Sequence, residues 1–345
     1  MKKISARRRQ WLIRECCRTM HARSRPPMKK RARVTTLRSC RVLAPQKFYF
    51  LGVADQKPLF DFLSLVKSKL DANFRVKINF DNTEEVHPCG TLIFLSHLDL
   101  WVDRYPGRVS CNYPRDPVVE ELLQHVSALS KLGLTSRKSI AHERVKHWHY
   151  HYGKDLNSAT YSDLTRATRE GIVHPAKETF ADCLNEAVAN TVGHAYEHPF
   201  KGMPPEDQRK WWMLSLLKDD ELFVAIYDQG IGIPGSLKRK PKFFEYFKRR
   251  TYNDGILIQA AIDSKLTRTR LPHRGKGLPE MLEFSEQLKD GGLSIWSQHG
   301  GMTYNAQRRV ERCHKMKSRL PGTLVLWSIP FRKEQENARY DDINS

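Results

Sequence analysis

The sequence predicts an α/β protein made of two units. Three observations carry that expectation. Strand-like and helix-like stretches alternate between residues 59 and 132. The segment LNEAVANTVGHAYEH, residues 184–198, places Glu186, Asn190 and His194 at i, i+4 and i+8, on one face of a helix. Beyond it, LFVAIYDQGIGIPG, residues 222–235, is a β-branched and aromatic run that stops at Asp228 and breaks into closely spaced glycines. At 345 residues the chain is long enough for two domains, each with its own core.

Residues 1–47 read as a basic arm. It is dense in Lys and Arg, opposed only by Glu15, and dominates the formal charge of +21. Such an arm attracts polyanions through counterion release, which makes nucleic acid a candidate partner. Trp11 stands alone among aromatics near the start, so base stacking is not indicated. A disordered solubilising arm is the plain alternative.

Residues 48–135 read as a small α/β unit. Residues 59–72 suit an amphipathic helix and 75–80 a strand. A turn at 82–90 leads into the apolar helix TLIFLSHLDLWVDR. A short strand at 108–112 and a helix over 116–132 follow, with Val118, Leu122, Leu123, Val126 and Leu129 at core-facing spacings. Residues 136–163 are a polar linker or edge strand. On a strand, His147, His149 and His151 would share a face and could bind metal, but no Cys completes such a site.

The second domain spans residues 164–331. A long helix is expected over 175–195 and a hairpin over 211–227, turning at Lys218-Asp219-Asp220. A basic excursion with helical pieces fills 235–273, and a helix occupies 277–289. Strands at 293–297 and 324–329 flank a stretch containing a very basic insertion, 307–319. A polar tail, 332–345, closes the chain.

Charged residues make up 28% and hydrophobic ones 40%, which predicts a soluble globular bulk. No apolar run approaches the roughly 20 residues that cross a bilayer, and the basic start lacks the apolar region of a secretory signal. The seven cysteines are scattered, with no CxxC. A reducing, cytoplasmic setting is therefore expected rather than a disulfide framework.

The chemistry concentrates in four short stretches. Asp228-Gln229-Gly230-Ile231-Gly232 ends a strand. Arg274-Gly275-Lys276-Gly277-Leu278 opens a helix, where free N–H groups favour anions. Leu320-Pro321-Gly322-Thr323 precedes the last strand. The polar helix face supplies Glu186, Asn190 and His194. There is no GxxxxGK[ST] loop, and Asp228 to Gly232 lacks the third glycine of a dinucleotide fingerprint.

Taken in chain order, from the helix face to the closing Gly322-Thr323, the four stretches resemble the GHKL, or Bergerat-fold, superfamily of ATPases and kinases over residues 164–331. Glu186, Asn190 and His194 match its N box. Asp228, Gly230 and Gly232 match the first glycine box, Gly275 and Gly277 the second, and Gly322-Thr323 the closing GT. EAVANTVGHAYEH looks most like the anti-sigma-factor serine kinase branch. The resemblance implies a two-layer α/β sandwich with a mixed sheet. It also implies that ATP and Mg²⁺ are bound, with Asn190 on the metal and Asp228 accepting from the adenine amino group. Gly230 and Gly232 would shape the adenine pocket. Gly275, Lys276 and Gly277 would lie at the phosphates in a lid, and Thr323 would support the base. His194 is either a phosphate contact or a packed helix histidine. Glu186 matches the general base of the hydrolytic members.

Residues 74–132 are similar, more loosely, to STAS domains, although Cys89, Gly90 and Thr91 occupy the place of the phosphorylatable serine. Together the resemblances imply slow, Mg²⁺-dependent ATP hydrolysis coupled to lid movement and to regulation of a protein partner. A serine/threonine kinase and a non-enzymatic nucleotide-gated module are the alternatives, and a homodimer is compatible with each. His142-Glu143 lacks the pattern that follows a sensor-kinase phosphoacceptor.

Overall fold

The computed structural model describes residues 37–51, 53–171, 177–239, 253–263 and 277–331. The arm up to residue 36, most of the basic excursion, Gly275, Lys276 and the tail 332–345 lie outside the described residues.

Regular structure is found inside the stretch read as the basic arm. Ser39–Leu43 is strand β1 rather than the end of the basic arm. The chain continues through β2 (Lys47–Phe48), α1 (Val53–Asp71), β3 (Arg75–Asn79), β4 (Glu85–Val86), α2 (Pro88–Arg104) and β5 (Val109–Cys111). Strands β1, β3 and β5 form a parallel sheet in the order β1-β3-β5, and β2 pairs with β4. Parallel neighbours need crossovers, which α1 and α2 supply.

Helix α2 starts where Pro88 fixes the first turn and the His87 side chain accepts from the Cys89 N–H. Leu92, Ile93, Phe94, Leu95, Leu98 and Trp101 are all buried, so its apolar surface extends around the helix. Such a helix needs cover on every side. Helices α3 (Pro117–His125), α4 (Ala128–Lys131) and α5 (Glu143–Lys146) follow. Asp116 caps α3 by accepting from Val118 N and Val119 N at 2.8 and 2.9 Å.

The remaining elements build a second sheet. They are β6 (Trp148–Gly153), α6 (Ser162–Gly171), α7 (Lys177–Asn190), β7 (Trp211–Lys218) and β8 (Glu221–Asp228). Then come α8 (Ile233–Leu237), α9 (Asp254–Ile262), α10 (Gly277–Gln287), β9 (Gly292–Asn305) and β10 (Val310–Pro330). Asp219 and Asp220, with φ of 52° and 57°, make the tight turn between β7 and β8. Positive φ at both central residues is what a two-residue hairpin with the natural twist requires.

The five strands run in the order β6-β7-β8-β10-β9. Every neighbouring pair is antiparallel, which corrects the expected mixed sheet. The physical reason is the position of β10. Strands β8 and β9 do run parallel to each other, but β10 lies between them and opposes both. The basic stretch 307–319 is also corrected. It is not an inserted loop, because Val310 to Lys315 pair in register with Asn305 to Gly300 and lengthen the last hairpin.

Both faces of this sheet are buried, and strand alternation sorts them. Trp211, Met213, Val224, Ile226, Val325 and Trp327 pack with the cluster that includes Phe180, Leu184 and Phe284 of α7 and α10. Trp212, Leu214, Ala225, Tyr227, Leu324 and Leu326 join the cluster of the N-terminal α/β unit. The expected two-layer sandwich therefore has a third cover, and residues 48–135 share one core with the sheet. The described residues from Ser39 onward form one compact unit. No helix among them is long and apolar enough to cross a membrane.

Candidate functional site

A cavity of about 330 Å³ opens between the helical layer and the end of β8. Its wall contains Asn190 and His194 from the helix end, Asp228 and Gly232 from the strand end, Gly277 from the start of α10 and Thr323 from β10. Ile226, Ile231, Leu278, Met281 and Val325 supply an apolar lining. Six residues singled out from sequence thus meet around one space. Glu186 and Gly230 stand beside it, and Gly275 and Lys276 lie outside the described residues.

The helix that carries Asn190 does not end as a plain α-helix. Thr191–Ala195 form a π turn directly after it. The wider turn frees backbone groups, a geometry common at functional sites. The Ala195 carbonyl accepts from Ile231 N at 2.8 Å, which ties this turn to the glycine loop after β8. A Cβ on Gly230 would meet the same carbonyl at 2.4 Å, so only glycine fits there.

Asp228 is buried at the strand end, 6% exposed. Its Oδ1 accepts from Gly230 N at 2.7 Å. Burial pushes its pKa up to about 7, against the lowering effect of hydrogen bonds from the Gly230 and Thr323 backbones. Across the ladder Asp228 faces Thr323. Gly322 has φ of 73°, and a Cβ there would lie 2.0 Å from the Asp228 carbonyl oxygen.

At the other end, Gly277 brings the N-terminus of α10 against α7. A Cβ on Gly277 would meet Glu186 Oε2 at 2.6 Å and Asn190 Nδ2 at 3.0 Å. Glu186 is half-buried, and its pKa is raised by burial first, then by the neighbouring carboxylates Glu280 and Asp182. His194 places Nδ1 3.3 Å from Glu197 Oε2.

Sequence reasoning missed several groups that hold the loop. Ser297 is fully buried; its hydroxyl donates to the Gly322 carbonyl at 2.6 Å and accepts from Ile233 N at 3.0 Å. Gln298, with φ of 56°, donates from Nε2 to the Ile231 carbonyl at 2.7 Å. Tyr196 accepts from Gln229 N at 3.1 Å, and the buried Gln229 side chain donates to Ser96 Oγ of α2 at 3.0 Å. A serine and a glutamine inside the long strand β9 have no spacing signature, so nothing in the sequence marks them.

The histidine run does not assemble a metal centre. Strand β6 begins at Trp148, and no group of three His, Cys, Asp or Glu among the described residues could hold a metal ion. His149 and His151 both have lowered pKa values, chiefly from burial. Comparison of the chain with protein-family models, with curated proteins and with solved structures finds no match.

Proposed function

We propose that the cavity binds ATP with Mg²⁺ and that the protein hydrolyses the nucleotide slowly. One observation carries this reading: Asn190, Asp228, Gly232, Gly277 and Thr323, drawn from separated stretches, line a single cavity. The order of the same residues in the chain carries the resemblance to GHKL ATPases, which supports the reading from an independent side.

The cavity has chemically distinct ends. At one, a buried carboxylate with a nearby hydroxyl sits among Ile226, Ile231 and Val325. A flat base with an exocyclic amino donor suits that combination, since ionised Asp228 accepts and cannot donate. At the other, the first turn of α10 offers N–H groups that favour phosphate. The donor set there is hard and sparse: the Asn190 amide, with the Glu186 carboxylate at the rim. Mg²⁺ fits such a set, because it takes few protein oxygens and completes its shell with phosphate and water. When bound it would neutralise phosphate charge. Glu186, with its pKa raised by burial, would take the proton from the attacking water.

The test uses γ-labelled ATP and separates free phosphate from labelled protein. Wild type should release phosphate. Glu186→Ala should keep nucleotide affinity while losing turnover by ~10²–10⁴-fold, the usual contribution of a positioned base. Label retained on protein would point to a kinase instead. Unchanged turnover in the variant would remove Glu186 from the chemistry.

A further inference from the structure

The lengthened hairpin of β9 and β10 has a use beyond the nucleotide cavity. Between residues 307 and 319 it carries Arg308, Arg309, Arg312, Lys315, Lys317 and Arg319, all exposed, against the single carboxylate Glu311. None of these six makes an ion pair among the described residues, whereas Lys57, Lys67, Lys131 and Arg137 elsewhere do. Glu311 is already engaged, accepting from Gln259 Nε2 at 3.0 Å. Among the described residues the ribbon thus gathers positive charge that no carboxylate pairs with.

It is also braced. Cys313 Sγ lies 3.1 Å from Gln259 Oε1 and donates to the Gly255 carbonyl at 3.6 Å, fixing the ribbon to α9. A Cβ on Gly255 would meet the His314 carbonyl at 2.7 Å, so helix and ribbon touch backbone to backbone. Thr303 and His314 are joined at 2.8 Å across its strands. At its base Arg319 Nε donates to Gln298 Oε1 at 2.5 Å. Charges held on a fixed frame lose little freedom on binding, unlike those of a loose tail.

We propose that this basic β-ribbon binds the phosphate backbone of duplex DNA. A two-stranded ribbon fits the major groove of B-form DNA, whereas the major groove of duplex RNA is too deep and narrow to admit it. Lys315, Lys317 and Arg319 are exposed at alternate positions of β10, within the bulged stretch between Lys315 and Leu320. Single strands are disfavoured because the ribbon exposes no aromatic ring for stacking; Tyr304 is buried. A membrane surface is disfavoured because Val310 is its one exposed large apolar side chain.

The test compares full-length wild type with Arg308→Gln/Arg309→Gln/Arg312→Gln/Lys317→Gln and with a charge-retaining Arg308→Lys/Arg309→Lys/Arg312→Lys protein. Binding is measured by fluorescence anisotropy on a labelled 30-base-pair DNA over a salt series. Each lost phosphate contact lowers the slope of log affinity against log salt by about 0.9, so the Gln variant should lose roughly 3 to 4 from its slope. The Lys variant should keep the wild-type slope, which separates lost charge from lost fold. Parallel titrations use single-stranded RNA and phosphatidylserine vesicles. Equal DNA slopes for wild type and Gln variant overturn the proposal, as does a loss confined to RNA or vesicles. The outcome is independent of whether the cavity binds ATP.

Discussion

Asp228 shows at the scale of one residue how a site can oppose stability. With its pKa raised to about 7, the folded protein holds a proton between pH 3.8 and about 7 that the unfolded chain has released. The folded state is therefore favoured by this group below 3.8, and that advantage is lost as pH rises through 7. Relative to Asp228→Asn, which does not titrate, wild type should lose roughly 2–3 kcal/mol of stability between pH 5 and pH 8. Urea melts of both proteins at the two pH values measure this. A difference that stays constant across pH would mean that the carboxylate ionises as readily in the fold as in the unfolded chain. The motif around Asp228 was legible because glycines announce where a side chain cannot fit, as Gly230 and Gly322 do against backbone oxygens. Ser297 was illegible for the opposite reason. A buried serine is marked by its partners, and those come from residues 233 and 322.

Among the elements, the ones that read correctly had strong local signals. The β7–β8 hairpin was bounded by charged turn residues, and the start of α3 by Asp116 and Pro117, although the single helix expected over 116–132 breaks at Ser127, with φ of 61°, into α3 and α4. The errors arose where charge masked periodicity. Strand β1 bears Arg41 at an exposed position and follows a basic arm, so it read as part of that arm. The outer half of β10, residues 310–319, buries Met316 alone, so no alternating apolar face marks it; it read as an insertion. Glycine positions test the loop that joins the elements. Gly322→Ala meets both a positive φ and the Asp228 backbone, and should cost on the order of 2–3 kcal/mol. Gly107→Ala has a similar φ of 68° but nothing within 4 Å, and should cost about 1 kcal/mol. Denaturation midpoints compare the two. Equal losses would mean that the close approach at Gly322 relaxes freely.

For the whole molecule, the informative contact is between the N-terminal unit and the sheet. Asp99 of α2, 5% exposed, accepts from Trp212 Nε1 at 2.9 Å and from Tyr150 OH at 3.1 Å, and pairs with Lys131 Nζ at 2.5 Å. One carboxylate thus satisfies groups from β7, β6 and α4. Removing it leaves a partly buried ammonium and two polar atoms without their partner. Asp99→Ala should therefore lose about 3–5 kcal/mol, in a single transition for the whole described unit. A loss below about 1 kcal/mol would show that water replaces the carboxylate. This contact was invisible in the sequence. Residues 136–163 read as a polar linker or an edge strand, and β6 within them is an edge strand of the sheet.

The most direct measurement is titration calorimetry of Mg²⁺-ATP and Mg²⁺-GTP into the full-length protein and into Asp228→Asn. Wild type should bind ATP in preference to GTP, because guanine carries a carbonyl acceptor where adenine has the 6-amino donor that Asp228 would accept from. The variant should lose at least about tenfold in ATP affinity, the equivalent of one buried hydrogen bond to a charged group. Equal ATP affinity for wild type and Asp228→Asn would contradict the assignment of the cavity as an adenine nucleotide site.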